Sequence, residues 1–557
     1  MTIRAQHLHT YFLVPFSIDK EAVVEDHPGF WKADRTWLDG LDDWLAGAVH
    51  DSHRAVFDHL GAWKRHAYTD FTLDSRAYQD MAYFHRFVRR IFFDAIEPRA
   101  HAGEHESLLR CYVLPIPDGR TLQIDAEDDH GGNARINVTG LQLFLFANGI
   151  GILSIAVEES DIPIPQALWV NEMLRRLYPT SGRQVREGRV PCRVTLTLDS
   201  GEGSTVLSSE DFRRGELIAF APPLSGIIRS LLYFLDYSRQ EFEPVLDERA
   251  VVYTYVALDP ATLPPDFRDS EEYQILLSRL VYVDRYGTDY RHDPIYIKDR
   301  LSRDLYRRWA HQGTWYGFTA YSSLTCTLGT FDCDRHLLRE GFVVHRNFMT
   351  RYYLMTLVAL FYRASLLDFS ERTAMVSRRL YQDQQRGRIS SNNIRLAMAL
   401  RNEFLHFANY WYFEELANKD QESEHFARLS SAYRLDPMKA ESDREIDKLN
   451  EASGEYLQRR NTEAVNRLAL LSTILGAGAV VTGYFGMNFS RDFGRVFFEP
   501  GAGDPKLLHH GGILLTTGFA VCALLLCVYL FVANWSDYRG SLRPAINKIT
   551  VTARDEP

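Results

Sequence analysis

Residues 8–18, LHTYFLVPFSI, hold a short apolar core from Tyr11 to Ile18 interrupted by Pro15 and Ser17, and this run reads as a first β-strand. Helical spacing follows over 34–61 and 75–96, the latter with Met81, Phe84, Phe87 and Phe92 near one face. From Leu108 the period changes to two. CYVLP, TLQIDAE, RINVTG, LQLFLFA and ILSIAVEE are short β-rich runs, and the last two flank Asn148-Gly149, a strong hairpin signal. A helix is predicted over 165–178 and strands over 191–199, 250–258 and 314–327. Mixed elements of this kind over about 340 residues predict an α/β or α+β unit around a mixed sheet.

The pattern changes near residue 340. From Phe342 to about Leu429 only helical spacing is present, with Phe404, Phe407, Ala408 and Trp411 on one face. The apolar stretch 354–360, bracketed by Arg351 and Arg363, predicts a packed core helix. Pro437 interrupts the pattern. A helix is then expected over 441–485, charged in its first half and uncharged in its second. At ~1.5 Å per residue it would be roughly 70 Å long. Two runs free of Asp, Glu, Lys and Arg close the chain, over 468–487 and 513–535. Each is long enough for a membrane span, which takes about 20 residues.

The expected fold class is therefore an α+β membrane protein. Its parts are a cytosolic α/β domain (1–340), a helical bundle (341–440), a stalk (441–467), a first transmembrane helix (468–487), an external loop (488–512), a second transmembrane helix (513–535) and a cytosolic tail (536–557). The N-terminal run is short, broken by Pro15 and Ser17, and lacks a small-x-small cleavage site, so it reads as a strand and not a signal peptide. Both termini are expected in the cytosol and the protein in the cell inner membrane. Basic residues before the first run (Arg459, Arg460, Arg467) and after the second (Arg539, Arg543, Lys548, Arg554) agree weakly with that orientation.

Composition narrows the function. The 557 residues carry a formal net charge of -10, so no basic footprint points to direct nucleic-acid binding. Six cysteines are too sparse for a disulfide framework. Walker A, HExxH, paired CxxC and GxSxG motifs are lacking, and an enzymatic reading has no residues to stand on.

The first charge-free run ends in Tyr484-Phe485-Gly486-Met487-Asn488. A Gly-Met-Asn after a long charged helix, with a second apolar run soon after, resembles the CorA family of divalent-cation channels over roughly residues 440–540. FANYWYFEELAN (407–418) is similar to the wider superfamily. The resemblance implies a homopentamer in the lipid bilayer with one axial pore, passive passage of divalent cations, Mg2+ above all, and gating by the cytosolic domain. Gly486, Met487 and Asn488 would form the selectivity end, with a ring of Asn488 carboxamides suited to a hydrated Mg2+. Ser472, Gly476, Ala479 and Gly483 share one helical stripe and would line the pore, with Leu468 as an inner hydrophobic gate. Phe485 stands where many members have Tyr, and the loop and mid-span motifs differ, which leaves selectivity open. His509-His510 point to a Zn2+, Ni2+ or Co2+ alternative. Some CorA-like proteins with enlarged cytosolic domains are effectors of bacterial antiviral (CRISPR-type) systems acted on by a nucleotide, which gives a second alternative. A pore-free scaffold is the third.

Three further groups carry candidate chemistry. Asp125, Glu127, Asp128 and Asp129 precede Gly131-Gly132 and make a candidate cytosolic cation sensor or a solvated hairpin tip. Arg378, Arg379, Arg386, Arg388 and Arg395 make a candidate phosphate-ligand cluster. Asp332, Cys333, Asp334 and His336 have metal-ligand types, though a loop is the better reading.

Overall fold

The computed structural model describes residues 2–27, 29–31, 37–50, 53–66, 83–92, 108–176, 182–201, 203–214, 224–246, 249–265, 267, 270–286, 292–329, 343–386, 390–486 and 507–533. Residues 1–446 form one compact unit and 447–557 a second.

The first unit is built on a sheet of thirteen strands. In chain order they are β1 (Arg4–Ile18), β2 (Lys64–Arg65), β3 (Leu109–Val113), β4 (Thr121–Glu127), β5 (Asn133–Phe146), β6 (Ile150–Pro163), β7 (Arg193–Asp199), β8 (Ser204–Asp211), β9 (Phe242–Pro244), β10 (Val251–Leu258), β11 (Leu305–Tyr306), β12 (Thr314–Phe318) and β13 (Ser322–Leu328). The main path runs β11-β12-β13-β10-β1-β6-β5-β4-β7-β8. Pairing is antiparallel except between β10 and β13, which are parallel. β5 and β6 form the hairpin signalled by Asn148-Gly149. Gly149 takes φ 94°, a left-handed conformation that a side chain would oppose.

β1 is the central strand, and its alternation sorts two layers. Leu8, Phe12, Val14 and Phe16 enter the main apolar core together with Val23 of α1 (Lys20–Asp26), Trp44 of α2 (Leu41–Gly47), Val56 of α3 (Arg54–Leu60) and Leu168 of α4 (Ile164–Leu174). On that side Thr10 Oγ1 donates to Asn171 Oδ1 at 3.0 Å. The alternate residues His7, His9 and Tyr11 belong to the other face. There a helix begins as α5 (Val343–Asn347), passes a π-turn at Phe348–Tyr352 and continues as α6 (Tyr353–Gln385). Phe348 stacks on Tyr253 at 4.3 Å between ring centroids, Tyr353 lies 4.5 Å from Tyr11, and Phe361 stacks on Phe146 at 4.1 Å. α7 (Ser391–His406) and α8 (Asp420–Tyr433) pack on α6. Pro15 fits inside β1 because its carbonyl accepts from Val245 and not from β6, so the missing N–H removes no bond to β6.

Several sequence expectations shift. The helix predicted over 34–61 is broken into a 3₁₀ turn, α2 and α3, with glycines at Gly40 and Gly47. The strand predicted over 314–327 is the β12–β13 hairpin, turned where Thr319 Oγ1 accepts from the Ser322 amide. The long helix α9 (Leu435–Gly486) starts before Pro437, because proline is tolerated in a first turn where the N–H has no intrahelical partner.

The second unit holds the later part of α9 and α10 (Leu507–Ala533). Here the expected fold class needs correction. The mixed sheet and the helices are present, but among the described residues no helix is long and apolar enough to cross a membrane. The two transmembrane helices are therefore not supported.

Candidate metal centre

His7 and His9 stand two apart on β1, and β-geometry points them to the same face. The register places Glu158 of β6 opposite His9 on one side and Tyr255 of β10 opposite it on the other. α5 then brings His345 over the sheet. The result is a group of three imidazoles and one carboxylate whose donor atoms all lie within 4.8 Å of one another.

The contacts fall into two close pairs. His9 Nδ1 and His345 Nε2 are 3.0 Å apart. His7 Nε2 is 2.9 Å from Glu158 Oε1, but out of line for a hydrogen bond, so this buried nitrogen has no hydrogen-bond partner. His9 Nε2 also lacks one, and His9 is only 4% exposed. Tetrahedral zinc at ~2.0–2.1 Å from its ligands sets neighbouring donors ~3.3 Å apart. Both close pairs are near that spacing, and the wider separations need at most ~1.5 Å of side-chain adjustment to reach it.

Aromatic rings enclose the group. Tyr11 stacks on His9 at 4.7 Å, and Tyr255 lies 4.8 Å from His345. Burial pushes the His9 imidazole down to about 3, a change that Glu158 opposes and His345 and His7 reinforce. Burial, with His7 nearby, pushes His345 down to about 4. Contact with the His7 imidazole holds the Glu158 carboxyl below its ordinary value despite the opposing cost of burial. His9 and His345 are thus neutral and Glu158 is ionised near pH 7, the protonation states that metal ligation requires. Side-chain exposures of 20% at His7 and 32% at Glu158 leave an entrance on that side.

The acidic residues singled out from sequence are arranged differently. Asp125 pairs with Arg135 at 2.5 Å. Asp128 is a turn organiser, its carboxylate accepting from the His130 and Gly132 amides and from Trp169 Nε1 at 2.7–2.9 Å. Asp129 faces Arg213 at 3.6 Å, and Glu127 is exposed at the end of β4. Arg378, Arg379, Arg386 and Arg395 are exposed on or beside α6 and α7, while Arg388 lies outside the described residues. Leu468, Ser472, Gly476, Ala479 and Gly483 are exposed along α9, which ends at Gly486. Met487, Asn488, Asp332, Cys333, Asp334 and His336 lie outside the described residues, as do the side chains of His509 and His510.

Sequence reasoning missed the histidine group. A signal existed in His7-Leu8-His9, a His-x-His on a predicted strand. Glu158 and His345 join it only through strand register and the placement of α5, which the chain's local pattern does not encode.

No family model matches the chain, and no curated protein matches it. Among solved structures, the chain has a weak likeness to the complete structure of the CorA magnesium transporter from Methanocaldococcus jannaschii. That match is 14% identical, covers 56% of this chain and 95% of that chain, and has a TM-score of 0.20.

Proposed function

We propose that this chain is a divalent-cation transport protein at the cell inner membrane, acting as a homopentamer, and that its sheet unit reads the cation through His7, His9, Glu158 and His345. The convergence of three imidazoles and one carboxylate in a largely buried, aromatic-lined seat carries this reading. The donor set favours zinc, nickel or cobalt over magnesium, because imidazole nitrogen suits borderline transition metals and magnesium takes oxygen ligands.

The transport part of the reading is supported by the sequence Gly486-Met487-Asn488, which begins where α9 ends, and by apolar surface that the chain does not cover itself. Leu468, Leu471 and Leu475 on α9, and Leu515, Phe519 and Leu525 on α10, are more than half exposed. Contiguous exposed apolar surface marks an interaction site, and further copies of the same chain are the proposed occupants.

Cation uptake by cells expressing the full chain tests the proposal. Uptake is expected to respond to zinc in the wild type, to lose that response in His9→Ala, and to fall in Asn488→Ala. Wild-type cells that take up no more cation than empty cells, or a zinc response unchanged in His9→Ala, would overturn it.

A further inference from the structure

A second group of metal-ligand side chains lies apart from the first. His27 caps the C-terminal end of α1, His50 follows α2, and Glu241 precedes β9. Their donor atoms lie within 4.8 Å of one another. The Glu241 side chain is fully buried. Its Oε2 accepts from the Asp236 amide at 2.7 Å, while Oε1 is buried without a hydrogen-bond partner. His27 Nε2 is 3.4 Å from Oε1, and His50 Nε2 is 3.8 Å from Oε2. Both nitrogens are buried without hydrogen-bond partners.

These distances matter. The 3.8 Å between His50 and Glu241 is too long for a hydrogen bond, and a buried carboxylate oxygen without a donor is costly. Donors around a tetrahedral zinc are ~3.3 Å apart, given bonds of ~2.0–2.1 Å. The gaps therefore suit an inserted ion. The other nitrogen of His50, Nδ1, lies 4.0 Å from Asp236 Oδ2, beyond hydrogen-bond distance. The backbone holds the group from both sides, because the Asp19 amide donates to the Glu241 carbonyl at 2.9 Å and the His50 amide to the Tyr233 carbonyl at 3.0 Å.

We propose that His27, His50 and Glu241 form a second metal site, a two-histidine, one-carboxylate set that takes a zinc-class divalent cation and keeps a fourth position open to water or to an oxygen ligand. Three protein ligands with an open position are the arrangement of exchangeable and catalytic zinc. Side-chain exposures of 18% at His27 and 21% at His50 leave that position reachable. The ion would tie the end of α1 and the segment after α2 to the turn before β9.

The test is a zinc titration of the chelator-stripped full chain by calorimetry, repeated with Co2+ and followed by visible absorption. Wild type is expected to take two equivalents, and His50→Gln and His27→Gln one each. His9→Ala should keep one equivalent, and His9→Ala combined with His50→Gln should take none. Glu241→Gln is expected to match His50→Gln; if its buried position prevents folding, the two histidine variants, whose rings are partly exposed, carry the result. Two equivalents retained by both histidine variants, or none bound by His9→Ala, would overturn the second site. A wild type that takes one equivalent, kept by His9→Ala and lost in His50→Gln, would instead refute the first site and leave the second standing.

Discussion

The two histidine groups use the same residue types in opposite arrangements. At the first, His9 is buried and the carboxylate of Glu158 is partly exposed. At the second, the Glu241 carboxylate is fully buried and both histidines are partly exposed. The electrostatic outcome reverses as well. Burial pushes His9 and His345 down, whereas contact with Glu241 pushes His50 up against the opposing effect of burial. Without metal, His9 and His345 are neutral donors, whereas His50 holds its proton more tightly than an ordinary imidazole.

That contrast can be broken most strongly at its centre. His9→Ala removes the buried imidazole that pairs with His345 in the first group. Zinc affinity there is expected to fall by more than about 100-fold, beyond the ~10–100-fold typical of losing an outer partner, with the second group unchanged. Competition against a chromogenic chelator measures it. Glu158→Gln is a milder cut, because the carboxylate is partly solvated. It should weaken the first site about tenfold and leave the thermal midpoint within a few degrees of wild type, read from the same titration and a melting curve.

Another buried histidine extends the contrast, because neither of its ring nitrogens is hydrogen-bonded. His425 on α8 stacks on Tyr352 at 4.2 Å, and neither of its nitrogens has a hydrogen-bond partner. Burial pushes it down to about 3. The unfolded chain binds this proton near pH 6.5 and the folded chain only near 3, so stability falls as pH drops through that window and is flat below it. His425→Phe should keep the ring packing and flatten that acid limb, as denaturant titrations at pH 7, 5 and 4 would show. An unchanged slope would contradict the assignment. The smallest expected effect is Tyr11→Phe, which keeps the stack on His9 and should change zinc affinity less than about threefold, in line with substitutions worth under ~0.5 kcal/mol.

Much of the fold is legible along the chain because β-structure writes its period locally. β1, the β5–β6 hairpin at Asn148-Gly149 and β10 all lie where the short β-rich runs put them. The helical block after Val343 is equally readable, since its apolar spacing is unbroken and Phe404 and Phe407 are buried as expected. What the pattern does not carry is pairing. The parallel match of β10 with β13 joins strands separated by two helices and a hairpin, and it brings no local signature. The metal groups were hidden for the same reason: Glu158 reaches His9 through register, and Glu241 reaches His27 and His50 through turns. The spans read from charge-free runs illustrate the reverse error. Absence of charge predicts helix, and α9 and α10 are helices, but among the described residues no helix is long and apolar enough to cross a membrane.

The central claim is that three imidazoles and one carboxylate on the β1 face form a metal seat. Diffraction from crystals of the full chain grown with zinc, recorded on both sides of the zinc absorption edge, tests it most directly. An anomalous peak is expected about 2.0–2.1 Å from nitrogens of His9 and His345. The 3.0 Å contact between those two rings would be replaced by bonds to the ion. A map with no peak on the β1 face, and His9 still hydrogen-bonded to His345, would contradict it.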